Sequence, residues 1–368
     1  MISIFLLLSL SYFFVFILIV YGWQKPSLKQ EENHHKQVSV SIIIAARDEK
    51  ETLPILISDL FSQTYPVSLY DVIVVDDHSS FRVQEIQELK KPEYAGLRIL
   101  TLTPDKRGKK AALIEGARQS NATMLLFTDA DCRVNREWIS TMVKHFRNSG
   151  ADMIIGLVDY INSGGFLNNF YRADLLSLVV SGAGAANIGM PVMCNGASMA
   201  VRRSVYPDSS SELRNDIKSG DDVFLLHALK KNKKKIRFIK DQNTIVRTKP
   251  PKNLAEFLNQ RARWASKGTK YTDVATIVLA ILVASTNILL LISTFLAATG
   301  NLEWKYYIPI LALKIIPDFM ILASAYAFFG KRRALVFYPV YFLIYPVYAG
   351  ISVISGIFGL YTWKNNNT

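Results

Sequence analysis

The stretch TMLLFTDADC, residues 123–132, decides how this chain is read. Met124–Phe127 is a short apolar run of strand length, and the chain then turns acidic at Asp129 and Asp131. The same pattern recurs upstream. DVIVV (71–75) runs into Asp76, Asp77, His78, Ser79 and Ser80, and VSVSIIIAA (38–46) runs into Arg47, Asp48 and Glu49. RILTL (98–102) reads as a further strand. Between these runs lie helical patterns: Leu53, Leu56, Ile57 and Leu60 at helical spacing within 51–63, and an alanine-rich segment over 109–119. Strand and helix in alternation predict an α/β domain, a parallel sheet covered by helices on both faces. Sheets of that kind bind ligands beyond the carboxyl ends of their strands, and those ends are where the carboxylates fall.

Two carboxylates two residues apart on extended chain can face one side, and hard oxygen donors of this kind suit Mg²⁺ or Mn²⁺ together with phosphate oxygens. The plainer reading of Asp129 and Asp131 is an Asp-capped strand-to-helix turn. Asp76 and Asp77 can accept from a nucleobase or a ribose hydroxyl, or cap a following helix. The run Arg107-Gly108-Lys109-Lys110 precedes a helix, where a cation and free backbone N–H groups favour phosphate, though its spacing is not that of a P-loop. Ser219-Gly220-Asp221-Asp222 opens the apolar helix that begins with Val223. It reads either as a variant capping box or as an adjacent acid pair, one member of which has its pKa raised toward that of a general base. Gln260, Arg263 and Trp264 fall at i, i+3 and i+4 on one helical face. That face suits a diphosphate and a sugar, or anchors a helix at a membrane interface.

Residues 2–22 are almost wholly apolar and long enough to cross a hydrocarbon core of about 30 Å. No positive charge precedes this run and no small-residue cleavage site follows it, so it is expected to stay as an anchor rather than act as a signal peptide. Three more apolar runs follow the mixed region, at 274–299, 305–329 and 334–361. The basic loop Lys331-Arg332-Arg333 is expected on the cytosolic side and the Gly300–Glu303 loop outside, which gives an external N-terminus, a cytosolic α/β domain and an external C-terminus. Lys314 and Asp318, four apart in the third run, read as an ion pair facing neighbouring helices or as a polar contact for an acceptor passing the helices. The formal net charge of +13 over 368 residues fits a surface beside anionic lipid or a phosphorylated substrate. The basic run Lys230–Lys235 has no interleaved aromatics, so nucleic acid is not expected as a partner. Two cysteines, Cys132 and Cys194, make no disulfide framework, and the five histidines show no metal-ligand spacing.

Taken together, the motifs resemble family 2 glycosyltransferases with the GT-A fold. IIIAARDE (42–49) and VVDDHSS (74–80) resemble that family's nucleotide-binding strands, RGKKAALIEG (107–116) its donor loop, and TDADC (128–132) its metal-binding motif. GASMAVRRSVY (196–206) resembles its acceptor-side segment and SGDDVFLLHAL (219–229) the segment holding its base. QRARW (260–264) is similar to the Gln-x-x-Arg-Trp motif of ceramide glucosyltransferases and of cellulose, chitin and hyaluronan synthases. This sequence carries Ala45 where the family usually has Pro, Asp48 and Ile114 where it often has Asn, and Asp221 where Glu often precedes the base.

The resemblance implies that Ala45, Arg47, Glu49 and Asp77 line a uridine pocket and that Lys109 approaches the donor. It implies that Asp129 and Asp131 hold the diphosphate through Mg²⁺ or Mn²⁺, with Asp131 the more direct ligand. Asp222, with Asp221 as the other candidate, would be the base, and Gln260, Arg263 and Trp264 would close over diphosphate and acceptor. The expected organisation is an anchor over 1–23, a cytosolic catalytic domain over 38–270 and membrane helices over 272–363. The expected reaction is inverting transfer of one sugar from a nucleotide donor, UDP-linked by preference, to a lipid, lipid-linked or glycan acceptor at the plasma or inner membrane. A small processive polysaccharide synthase is the alternative, and a non-catalytic nucleotide-sugar-binding membrane protein a remoter one.

Overall fold

Strand β1 (Val40–Ala46) is the central thread of the α/β unit, and all of its residues but Ala45 are buried. Its β-branched run Ile42-Ile43-Ile44 suits a strand covered on both faces. The computed structural model describes residues 2–25, 37–161, 164–208 and 220–362, and His34, His35 and Ser219 lie outside them. Helix α2 (Leu53–Leu60) buries the stripe Leu53, Leu56, Ile57 and Leu60 that the spacing predicts. Strand β2 (Tyr70–Asp76) pairs in parallel with β1, Ala46 opposite Asp76, and β3 (Leu97–Thr101) pairs in parallel with β2.

Helix α3 (Lys109–Arg118) starts at Gly108, whose φ of +93° is glycine territory. It lies so close to the sheet that a Cβ on Gly116 would stand 2.7 Å from Ile43 Cγ2. Strand β4 (Met124–Phe127) pairs in parallel on the other side of β1. After α4 (Trp138–Ser149) come β5 (Met153–Ile155) and β6 (Val158–Tyr160).

The expected all-parallel sheet is corrected here. Strand β7 (Met199–Arg202) runs antiparallel to both β4 and β5, so the seven-stranded sheet, ordered β3-β2-β1-β4-β7-β5-β8, is mixed. β8 is Ile236–Phe238, and a second parallel pair joins β6 to β9 (Val246–Thr248). The reversal has a consequence for the site. Met199 lies opposite Phe127, so the start of β7 reaches the same sheet edge as the end of β4.

By its internal contacts the chain divides into two units. Pro26–Ile161 with Met193–Lys249 form the α/β unit, and Met1–Lys25, Asn162–Val192 and Pro250–Thr368 form a helical one. Residues 162–192 and 250–270, which the sequence reading groups with the catalytic domain, cluster with the helices. The helical unit contains α1 (Ile2–Gln24), α5 (Phe166–Asn187), α7 (Leu254–Ala265), α8 (Val274–Ala298), α9 (Trp304–Phe328) and α10 (Tyr338–Ile357). Asn253 and Asp273 cap α7 and α8, accepting from the backbone N–H groups of Glu256 and Thr276. Four segments, Ile2–Gln24, Val274–Ala298, Trp304–Phe328 and Arg332–Ile357, are long and apolar enough to cross a membrane.

Glycine sets two of the helix contacts. A Cβ on Gly22 of α1 would lie 2.1 Å from the carbonyl oxygen of Gly184 on α5, and a Cβ on Gly184 would lie 2.1 Å from that of Ile19. A Cβ on Gly356 of α10 would stand 2.6 Å from the carbonyl of Ala262 on α7. Such close backbone approach is what small residues allow between helices. Lys314 is 2% exposed and pairs with Asp318, as the spacing predicts. Tyr12 of α1 joins them, donating to Asp318 Oδ1 at 2.5 Å, so the pair also links two helices.

Candidate active site

The site is built at the carboxyl edge of β1, β2 and β4, from residues that all belong to the α/β unit. Asp129 and Asp131 follow β4. Their carboxylate oxygens and Cys132 Sγ lie within 4.8 Å of one another. The donor set is hard in practice. Burial first, then Asp129 and Asp131, hold the Cys132 thiol well above its ordinary pKa, so it stays protonated and leans toward Asp131 Oδ1 at 3.7 Å. Burial also raises the pKa of Asp131, and the nearby charges of Asp129 and Glu49 raise it further. A partly buried, like-charged carboxylate pair of this kind is relieved by a cation. The fit is to an oxygen-preferring divalent ion rather than a thiolate-bound one. Thr248 of β9 donates toward Asp131 Oδ2 at 3.4 Å and helps to fix the pair.

One cation is supplied by the chain itself. Lys109, at the first position of α3, reaches Asp129 Oδ1 at 2.5 Å and lies 3.9 Å from Asp221 Oδ2. Burial acts to lower its pKa, but Asp129, Asp221 and Asp222 outweigh burial and raise it. Lys109 thus ties the aspartates after β4 to the acid pair that opens α6 (Asp221–Lys231).

Gly220, at φ +88°, is the N-cap of α6 and offers no side-chain cap. Asp222 Oδ2 accepts from the N–H of Gly196 at 3.1 Å, and Oδ1 from the N–H of Val223 at 2.8 Å. Gly196 precedes β7, so the antiparallel strand delivers the N–H that orients Asp222. A Cβ there would stand 3.4 Å from Asp222 Cβ.

The loops after β1 and β2 are pinned to each other. Asp48 and His78 both adopt positive φ, +58° and +56°. Asp48 Oδ1 accepts from the N–H and hydroxyl of Ser80, both at 2.8 Å, and the Asp48 N–H donates to Ser79 Oγ. Asp and Asn both tolerate this backbone region, which explains why Asp stands where Asn is common. Asp77 is 5% exposed and its Oδ1 accepts from the Gly108 N–H at 2.8 Å, anchoring the loop that leads into α3. Asp76 closes its own turn by accepting from Ser79 N–H. Glu49 is partly buried and accepts from Thr52 at 2.7 Å, just ahead of α2. Ala45 is the one partly exposed residue of β1, and Arg47 is exposed beside it.

Gln260, Arg263 and Trp264 lie on α7 in the helical unit. Within that unit the buried Arg261 organises their surroundings. Its Nε bonds Asp174 of α5 at 2.5 Å, its Nη1 bonds Gln260 Oε1 at 2.5 Å, and its guanidinium lies 4.2 Å from the Trp264 ring centroid. Tyr348 of α10 donates to the other Asp174 oxygen. Sequence reasoning picks out Asp76, Asp77, Asp129 and Asp131 because they follow apolar runs, and Asp221 and Asp222 because they open an apolar helix. It misses Gly196, Thr248 and Arg261, whose roles depend on pairing across the sheet and between helices. The adjacency of Cys132 to Asp131 was the one signal available for the thiol.

Residues 41–208 match the family model described as glycosyl transferase family 2. The chain therefore carries a family 2 glycosyltransferase domain on a mixed α/β sheet of the GT-A kind, together with one N-terminal and three C-terminal helices suited to a membrane. Among characterised proteins it is similar to the glycosyltransferase AglE of Haloferax volcanii, 34% identical over 121 residues, which are 33% of this chain and 40% of that one. It is also similar to a poly(ribitol-phosphate) beta-glucosyltransferase of Bacillus spizizenii, 21% identical over 203 residues, 54% of this chain and 30% of that one. The chain thus spans less than half the length of these relatives. Among solved structures, the mannosyltransferase PcManGT of Pyrobaculum calidifontis, in complex with GDP-Man and Mn²⁺, superposes with a TM-score of 0.58 at 14% identity, covering 98% of this chain and 99% of that one. At that identity the likeness is one of fold.

Proposed function

We propose that the chain is an inverting glycosyltransferase that moves one sugar from a UDP-sugar to a lipid or lipid-linked acceptor at the cytosolic face of the plasma or inner membrane. The observation that carries this reading is the Lys109 bridge between Asp129 and Asp221, because it draws a phosphate-seeking edge and a candidate base into one cluster. Asp129 and Asp131 would hold a divalent ion, Mg²⁺ or Mn²⁺, which neutralises charge on a leaving diphosphate. Lys109 would meet the same diphosphate. Asp222, oriented by the Gly196 N–H, would take the proton from the acceptor hydroxyl as its oxygen attacks the anomeric carbon opposite the departing diphosphate. One displacement inverts that carbon. Ala45, Arg47, Glu49 and Asp77 are assigned to the nucleoside, and Gln260, Arg263 and Trp264 to the diphosphate and acceptor, on motif resemblance.

The test uses the full chain in lipid with a panel of UDP-sugars, GDP-mannose and either Mg²⁺ or Mn²⁺. Nucleotide release is followed and the lipid extract is weighed by mass spectrometry. A lipid gaining one sugar supports the proposal and names both substrates. A ladder of products moves the reading to a small polysaccharide synthase. Donor binding without release under any condition overturns catalysis in favour of a binding protein. Chelation of divalent ions is expected to stop release, and unchanged turnover in chelator removes the metal from Asp129 and Asp131.

A further inference from the structure

Between α9 and α10 the chain turns through Gly330, at φ +71°, into the consecutive cations Lys331, Arg332 and Arg333. These residues line a cleft of about 620 Å³ together with Ala334, Phe337 and Asn169. Among the described residues no carboxylate pairs with any of the three. Asn169 belongs to the first turns of α5, whose N-cap Gly165 contributes no side-chain cap to the backbone N–H groups there. The positive end of a 22-residue helix therefore borders the same cleft. The rim is apolar. Phe166 meets Phe337 of the lining edge-on at 5.7 Å, and their neighbours in the chain, Leu167 and Val336, are 47% and 73% exposed. The loop also joins two of the segments apolar enough to span a membrane, which puts it at the level of a headgroup region.

We infer that this cleft binds the phosphate of an anionic membrane lipid, with the headgroup among Lys331, Arg332, Arg333 and the start of α5 and the acyl chains along Phe166, Leu167, Val336 and Phe337. Three unpartnered cations, an uncapped helix start and an apolar rim suit a ligand with a charged head and an apolar tail better than a soluble anion. The inference does not depend on glycosyl transfer, and its test does not read activity.

The full chain, purified in a neutral detergent, is titrated with phosphatidylglycerol, with phosphatidylcholine and with inorganic phosphate, and bound species are counted by native mass spectrometry. Phosphatidylglycerol is expected to bind at one saturable site, and phosphatidylcholine more weakly. Replacing all three cations (Lys331→Gln, Arg332→Gln, Arg333→Gln) is expected to weaken binding roughly 100-fold, from the attraction that each basic residue exerts on anionic lipid. Removing three charges elsewhere (Lys233→Gln, Lys234→Gln, Lys235→Gln) is expected to leave binding unchanged. Ala334→Trp fills the cleft at constant charge and is expected to abolish the saturable site, which keeps the test decisive should the triple variant fail to fold. Equal loss in the two triple variants, full binding by Ala334→Trp, or inorganic phosphate binding as tightly as the lipid each overturns the proposal.

Discussion

Asp222 is held by two backbone N–H groups, from Gly196 and from its own helix, which together occupy two of a carboxylate's roughly four acceptor positions. Asparagine can keep one of these bonds through its oxygen but cannot take a proton. Asp222→Asn is therefore expected to lower kcat by about 10²-fold or more while leaving donor binding within a few-fold, as read by nucleotide release and by titration calorimetry. Should Asp221→Asn abolish turnover while Asp222→Asn does not, the base is Asp221. Lys109→Gln removes the cation shared by Asp129 and Asp221, and it is expected to reduce donor affinity more than Asp222→Asn does. At this scale much was legible. Asp129, Asp131, Asp77 and Lys109 stand where an apolar run stops or a helix begins, and strand ends are where an α/β sheet presents its ligands. The Gly196 contact was not legible. It requires knowing that β7 runs against β4, and a period of two carries no direction.

Helices here meet through a few exacting contacts. Gly116 lets α3 lie against Ile43 and Val75, so Gly116→Val is expected to cost about 1–3 kcal/mol by overpacking, measured as a lower unfolding midpoint in denaturant. The Arg261–Asp174 pair joins α7 to α5 with both side chains almost fully buried. Breaking it with Asp174→Ala strands a buried guanidinium and is expected to cost about 3–5 kcal/mol, whereas Asp174→Leu combined with Arg261→Met recovers most of that loss. A thermal-shift series in detergent separates the two, and equal loss in the single and double variants would discard the pair as the cause. Strands β1 to β4 and the four candidate spans were readable from hydrophobic runs, whereas β5 to β9, only three or four residues each, are too short to stand out as runs. Helix α5 falls within the 38–270 stretch that the sequence reading gives to the catalytic domain, because its mixture of small and apolar residues suits a protein core as well as a helix–helix contact.

Across the whole molecule the chain passes between the two units repeatedly, because residues 162–192 and 250–368 belong with the N-terminal segment and not with their neighbours in sequence. Run-by-run reading assigns such segments to whatever surrounds them, and three-dimensional clustering is invisible to it. The crossing at Gly22 and Gly184 gives this threading a temporal meaning. Helix α1 leaves the ribosome well before α5, because the helix it must meet is encoded only after six strands of the other unit. Until α5 emerges, the glycine notch of α1 has nothing from that helix to close on, and non-local contacts of this kind form late. A foreign apolar anchor spliced in place of α1 would insert in the bilayer equally well and then miss that rendezvous. Such chimeras are expected to reach the membrane and be cleared there by quality-control proteases, so that steady-state abundance, rather than insertion, would reveal that this segment is a fitted part and not an interchangeable tether.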